Sequence, residues 1–487
     1  MDHQATKRVL RLSKELCDVF EERAVDMDMV LPDYVPEVTA VLKCSLCPTV
    51  TARYRSGDRY TVSGTVTVRI LYLTEDRTDV YSYEASQPFT VSFPSVQAIH
   101  HNVCVKTDYV HSRAVSSRRV DIHGAFRVYL KAVGVSEQVV YAPPEERDMH
   151  YRSKPVHYTV PFCETDKAFS VEDRLTVRAE TDRIVTSDVC ILSTEIKPLV
   201  NKAIIKGILQ LKTLECKNGQ YDTEYYEIPF SQIVDVDGLC EERLCRVDVS
   251  VGEYELRMQS EEGGGAFCWF DGKLFASVQC FERCEDEVVL DVYSVDKPIL
   301  CETSLIEFAD NESEYNRMYP IRGTAECPEG LHDIVDVTAE LKNISFDDTG
   351  LCACAVIGLI GRDEGGTLSY YERTIDIHEP CDERGDVQLL KAEVVKQAQE
   401  LRVLLSVSVK GMTDSLDAVT VVCDAVAEQH TVFVKSGASI RVVYAEPGDN
   451  VWDIAKKHHA CAEDIMAEND LSDWTISVPT MLMIPML

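Results

Sequence analysis

The stretch Val62-Ser63-Gly64-Thr65-Val66-Thr67-Val68-Arg69-Ile70 decides the fold class, because every second residue is apolar or glycine and every residue between is polar. Alternate residues line one face of a strand, so the pattern predicts an antiparallel strand with one covered and one wet face. A second run repeats it, with Ile205, Gly207, Leu209 and Leu211 set against Lys206, Ile208, Gln210 and Lys212. Turn signals follow: Glu75-Asp76 after the first run, Asn218-Gly219 after the second, and Asp363-Glu364-Gly365-Gly366 in a third region. Asn-Gly between two such runs is a strong hairpin signal.

Outward from these hairpins the chain repeats itself. The dipeptides Tyr83-Glu84, Tyr226-Glu227 and Tyr371-Glu372 lie 143 and then 145 residues apart, and the first two run on into Pro88-Phe89 and Pro229-Phe230. Nineteen residues before each tyrosine stand Gly64, Gly207 and, in the third copy, the small Cys352. Further strands are expected at Val120–Leu130, Val288–Tyr293 and Leu401–Val409. Long helical patterns are scarce, so the expectation is a mainly β chain of three antiparallel β-sandwich or barrel-like repeats. These are placed at 31–150, 151–300 and 301–430. A repeat this long is a domain rather than a solenoid turn. Val9, Leu12 and Leu16 share one helical face, which predicts an N-terminal helix and lead-in over 1–30.

The C-terminus breaks the pattern. After a linker at 431–440, Tyr444 to Lys457 gives a strand, the turn Pro447-Gly448-Asp449, and Val451, Trp452, Ile454 and Ala455 at helical spacing. Glu463, Ile465 and Met466 begin a second helix, Asn469-Asp470-Leu471 ends it, and Thr480 to Pro485 closes as a strand. The order is βααβ over 441–487. Those residues are similar to a LysM module. The resemblance implies a groove for N-acetylglucosamine chains between two loops, here Gly448, Asp449, Asn450 and Val451 facing Leu471, Ser472, Asp473, Trp474, Thr475 and Ile476. Asn450 can cap the first helix, whereas Cys461 replaces the usual hydroxyl cap of the second. By alternation Leu482 and Ile484 point inward, so Met481 and Met483 point outward as a second contact face. The groove is the expected anchor, with Trp474 its hot spot; Trp452 belongs to the module's core.

Three stretches of the first repeat, Asp26 to Pro36, Leu42-Lys43-Cys44 and His111 to Arg119, resemble the SPOCS domain of endospore-forming Firmicutes. Three such units and one LysM resemble SipL-type spore coat morphogenetic proteins. The family implies a non-enzymatic adaptor in the mother-cell cytoplasm, linking the coat to its basement ATPase on the forespore surface. The alternative is a LysM protein that binds peptidoglycan in the cell wall or cortex.

Charge narrows the partners. With 82 acidic against 49 basic residues the net charge is −33, which disfavours nucleic acid and anionic membranes. The module itself sets Arg441, Lys456 and Lys457 against eight carboxylates, so a protein ligand is favoured over anionic peptidoglycan. No run is long enough to span a bilayer, and the start lacks the apolar core of a signal peptide, so a cytoplasmic site is expected.

No cofactor, metal site or catalytic residue is expected. Among 19 cysteines, Cys44 and Cys47 form a Cys-x-x-Cys without the second pair of a structural zinc site. Cys280 with Cys284 and Cys352 with Cys354 have strand spacing and read as core filling. His100-His101 and His458-His459 read as surface or helix-end pairs. Gly263-Gly264-Gly265 reads as a flexible hairpin loop. Tyr83, Tyr226 and Tyr371 read as structural, and Arg113 with Arg118-Arg119 as a solvated strand edge.

Overall fold

In the computed structural model, residues 6–143, 149–177, 181–260, 266–427 and 439–486 are described. The expected linker at 431–440, apart from its last two residues, and the Gly263-Gly264-Gly265 loop lie outside them.

Unit 1 comprises β1 (Thr6–Val30), β2 (Ala40–Ser56), β3 (Arg59–Leu73), β4 (Val80–Pro94), β5 (His100–Ser116) and β6 (Arg119–Ala142). Unit 2 follows with β7 (Met149–Thr176), β8 (Arg183–Leu199), β9 (Lys202–Lys217), β10 (Gln220–Asp235), β11 (Leu244–Ser260) and β12 (Ala266–Ser294). Unit 3 has β13 (Ile299–Glu326), β14 (Asp333–Asp347), β15 (Gly350–Arg362), β16 (Leu368–Glu379), β17 (Asp386–Gln397) and β18 (Glu400–Ala427).

All three units share one topology. In unit 1 one antiparallel sheet has the order β2-β3-β4 and the other β1-β6-β5, and units 2 and 3 repeat both. The inner faces of the two sheets meet in one core per unit. Val62, Val66, Val68 and Ile70 of β3 face Val120, Ile122, Phe126 and Val128 of β6, so the alternating residues are the buried ones. Asn218 and Gly219 turn the β9–β10 hairpin at φ 49° and 73°, the two positive values of a type I′ turn.

The N-terminal helix is not formed. Residues 6–30 are strand β1, paired with β6 from Thr6↔Ala142 to Val30↔Arg119. Leu10 and Leu12 are buried and Val9 is exposed, so the operative period is two. Three apolar residues cannot distinguish that period from a helical one without the partner strand. Each unit therefore needs its first strand, and unit 1 begins near residue 6 rather than 31.

The long outer strands overshoot their own sandwiches and meet. Leu10, Leu12 and Val140 of unit 1 pack with Val156, Tyr158, Val160 and Val288 of unit 2 and with Ile306, Phe308, Val419 and Val421 of unit 3. A second shared cluster joins Leu71, Leu73 and Val80 to Val185, Leu214 and Cys216 and to Val335, Ile360 and Leu368. Each unit thus touches both others. Beside this cluster Arg69 reaches Asp188 at 2.6 Å, Lys212 reaches Asp336 at 2.6 Å, and Lys43 Nζ donates to Thr338 Oγ1 at 2.8 Å. These polar bonds fix which unit faces which.

The C-terminal segment adds β19 (Ile440–Ala445), α1 (Val451–His458), α2 (Ala462–Glu468) and β20 (Thr480–Pro485), with β19 and β20 antiparallel. Among the described residues no helix is long and apolar enough to cross a membrane.

Candidate functional site

The C-terminal module is built around Val451, Trp452, Ile454, Ala455, Ile465, Leu482 and Ile484, all buried. Asn450 caps α1, its side chain accepting from Trp452 N at 2.9 Å, whereas Cys461 makes no side-chain cap at α2. Asn469 fastens α2 to β20: its Nδ2 donates to Ile465 O and Met483 O, and its Oδ1 accepts from Met483 N at 2.7 Å.

The two loops of the expected groove do meet, but they are zipped together. Gly448 N donates to Ile476 O, Ile476 N to Asp449 O and Val451 N to Trp474 O, each at 2.8 Å, and Asn450 bridges Thr475. Gly448 holds φ 97°, which suits glycine. Val451 and Ile476 are buried in the module's core and present no side chain to a ligand. Leu471 also packs against that core. Gly448, Asp449, Ser472, Asp473, Trp474 and Thr475 remain exposed, and Asp449 Oδ2 is taken up by Glu446 N at 2.8 Å. A ligand here would lie on the ladder, not between its strands.

The outer face of the β19–β20 pair is apolar. Met481 is 61 % and Met483 39 % exposed, so this face does not pack on the third unit. Their cross-strand partners are Tyr444 and Val442, also exposed. Sequence reading missed these two, although the alternation that placed the methionines outward also applies to β19.

The opposite side of the module sits on unit 2. Tyr293 of β12 packs edge-on to Trp452 with ring centroids 4.9 Å apart, and its hydroxyl donates to Ala460 O at 2.9 Å. Trp452 Nε1 donates to Asp291 Oδ2 at 2.9 Å, and Lys456 Nζ reaches Asp291 Oδ1 at 2.6 Å. Trp452 is therefore both core residue and anchor.

The remaining residues singled out from sequence fall mostly into structural roles. Tyr83, Tyr226 and Tyr371 pack partly buried against their own cores. Arg118 Nη1 donates to Pro32 O at 2.9 Å and Val35 O at 3.2 Å, and Arg119 pairs with Asp28, so that cluster ties down the β1–β2 connection. His100 is no surface residue: it is buried, with Nε2 3.1 Å from both Cys163 O and Cys280 O, and burial holds its pKa below the usual histidine value. His101 pairs with Glu164 at 2.9 Å. His458 and His459 end α1, both shifted down by burial and by Arg441.

Cys44 and Cys47 line a cavity of about 380 Å³ between the units, shared with Arg69, Asp188, Lys212 and Asp336. Burial pushes Cys44 up to about 11 and also raises Cys47, which disfavours thiolate chemistry. Cys280 is buried, as core filling requires, but Cys352 is not core. Its side chain lies on the outer face beside Asp347 and His378. Among the described residues His150, Cys461 and Glu463 form a second cluster with metal-ligand chemistry, at the junction of β7 and the module.

No curated protein and no solved structure matches the chain. The family model of the SipL, SPOCS domain does match, over residues 180–259, which hold β8 to β10 and β11 up to its last residue, so this part of unit 2 is similar to that domain.

Proposed function

We propose that this chain is a non-enzymatic scaffold of sporulation. Its three sandwich units form a platform, and its C-terminal module, read as a LysM, docks the coat-basement ATPase at the forespore surface in the mother cell. The SPOCS match of unit 2 supports the sporulation-related role, and units 1 and 3 repeat its strand order and pairing. The docking role rests on one observation: Val442, Tyr444, Met481 and Met483 form an exposed apolar sheet face, with Trp474 exposed on the neighbouring loop. An uncovered apolar face of this kind favours a protein partner, and methionine adapts to one.

The test is co-purification of the full chain with the coat-basement ATPase. Trp474→Ala is expected to weaken binding by about 2 kcal/mol, the usual scale for a buried interfacial tryptophan. If Trp474→Ala binds normally while Met481→Ala/Met483→Ala abolishes capture, the methionine face is the anchor. Retention on insoluble peptidoglycan, lost on Asp449→Ala, would favour the glycan reading instead.

A further inference from the structure

The turn from β14 to β15 carries a group of side chains that the scaffold role does not use. Asp347 ends β14, Thr349 lies in the turn, and Cys352 faces His378 directly across the β15–β16 ladder. Cys352 Sγ lies 3.1 Å from His378 Nδ1 and 3.3 Å from Asp347 Oδ2. The three ligand atoms all lie within 4.8 Å of one another.

A count of protons shows what the group lacks. The Thr349 hydroxyl donates to Asp347 Oδ1 at 2.6 Å, and the same oxygen accepts from Thr349 N and Gly350 N. Thr349 has only one hydroxyl proton. His378 Nε2, 2.9 Å from Thr349 Oγ1, must therefore supply the hydrogen of that contact. With the proton on Nε2, Nδ1 of the neutral ring presents a lone pair toward Cys352. Asp347 Oδ2, Cys352 Sγ and His378 Nδ1 then converge with one thiol proton among three electron-pair donors. A cation would satisfy all three.

We propose that Asp347, Cys352 and His378 bind a divalent transition cation, zinc in particular. Oxygen, sulfur and nitrogen donors in threes, with a fourth position open, are a donor set zinc takes readily. The open position faces solvent, because Asp347 and His378 are both exposed. On binding, the cation forms a bond to sulfur and the thiol proton leaves to water. Thr349 fixes the histidine tautomer from the second coordination shell, as partners of ligating histidines do. The site is particular to unit 3. By the register of the shared cluster, the positions of Cys352 and His378 hold Ser63 and Thr90 in unit 1 and Lys206 and Ser231 in unit 2.

The test uses the full chain, reduced and stripped of metal, titrated with Zn(II) and with Co(II) as spectroscopic probe. The expected result is a thiolate-to-cobalt charge-transfer band and zinc binding that Cys352→Ser lowers by one equivalent, while Cys461→Ser leaves the Cys352-dependent equivalent in place. Asp347→Asn keeps the turn's acceptor oxygen but loses the anionic ligand, so affinity should fall roughly tenfold or more even if the cysteine variant folds poorly. The inference is overturned if Cys352→Ser, folded by circular dichroism, binds Zn(II) and Co(II) with the wild-type stoichiometry and spectrum. Unchanged affinity in Asp347→Asn overturns it equally.

Discussion

Gly64 and Gly207 matter for what lies over them. A Cβ on Gly64 would stand 2.5 Å from Phe89 Cζ and closer still to Thr49 O, and a Cβ on Gly207 would meet Phe230 and Ser193 O as tightly. In units 1 and 2 the phenylalanine opposite rests its ring on the bare backbone, which explains why the Pro-Phe pair accompanies the glycine there. In unit 3 the position equivalent through the shared cluster is Ala353, opposite Ile377, and not Cys352. An isoleucine there leaves room for a methyl. The one-residue offset turns Cys352 to the outer face, because strand neighbours point oppositely. Gly207→Ala should therefore destabilise by about 1–3 kcal/mol through overpacking against backbone and ring, read from urea unfolding. In a double-mutant cycle the cost of Gly207→Ala should be smaller in a Phe230→Ile background, the contact with Ser193 O remaining; an equal cost in both backgrounds would refute the ring's part in the packing argument.

At the scale of elements, a strand's burial pattern reports what covers it. β3 alternates from Val62 to Val68 and then becomes continuously buried over Arg69 to Leu73. There its outer face enters the cluster shared with units 2 and 3, so both faces are covered. α1 shows the same logic in helical form, since one stripe serves the module core while Trp452 and Lys456 reach Asp291. Asp291→Ala would leave the Trp452 indole N–H unpaired at a partly buried interface, at a cost of about 1–3 kcal/mol. Hydrogen exchange of α1 amides should accelerate in that variant while β9 amides stay protected. Equal acceleration in both would mean that the module and unit 2 unfold as one.

At the scale of the whole molecule, the units are joined by apolar clusters and by ionisable groups taken out of water. The junction of units 1 and 2 gathers His100, His101, Glu164, Arg53, Asp166 and Gln279. Burial is the largest influence on His100 and lowers its pKa, so the folded protein resists protonating it. The unfolded chain binds that proton near the ordinary value of about 6.5, so stability must fall as pH drops below it. Glu164 acts in a separate window. Burial pushes its pKa upward, but hydrogen bonds from His101 and Gln279 and the charge of Arg53 outweigh that and hold it down. Its contribution is lost only below the ordinary glutamate range near 4.3. Melting temperature should therefore decline between about pH 6.5 and 5, and His100→Gln, which can still donate to the two carbonyls, should flatten that decline. A slope unchanged by the substitution would place the titration elsewhere.

The local alternation of the hairpins, the Asn218-Gly219 turn, the recurrence of one unit and the βααβ order of the C-terminus are all legible in the chain before it folds. These are properties of neighbouring residues, whose period is set by backbone geometry. The chain also carries the outward direction of Met481 and Met483, since that needs only the parity of one strand. The rest comes from contacts between distant segments. β1 is a strand because β6 lies beside it, and Val451 and Ile476 are core because two loops zip together. The group of Asp347, Cys352 and His378 exists only through the register of three strands. Pairings between residues tens or hundreds of positions apart leave no period in the chain, so only the folded molecule brings those atoms together.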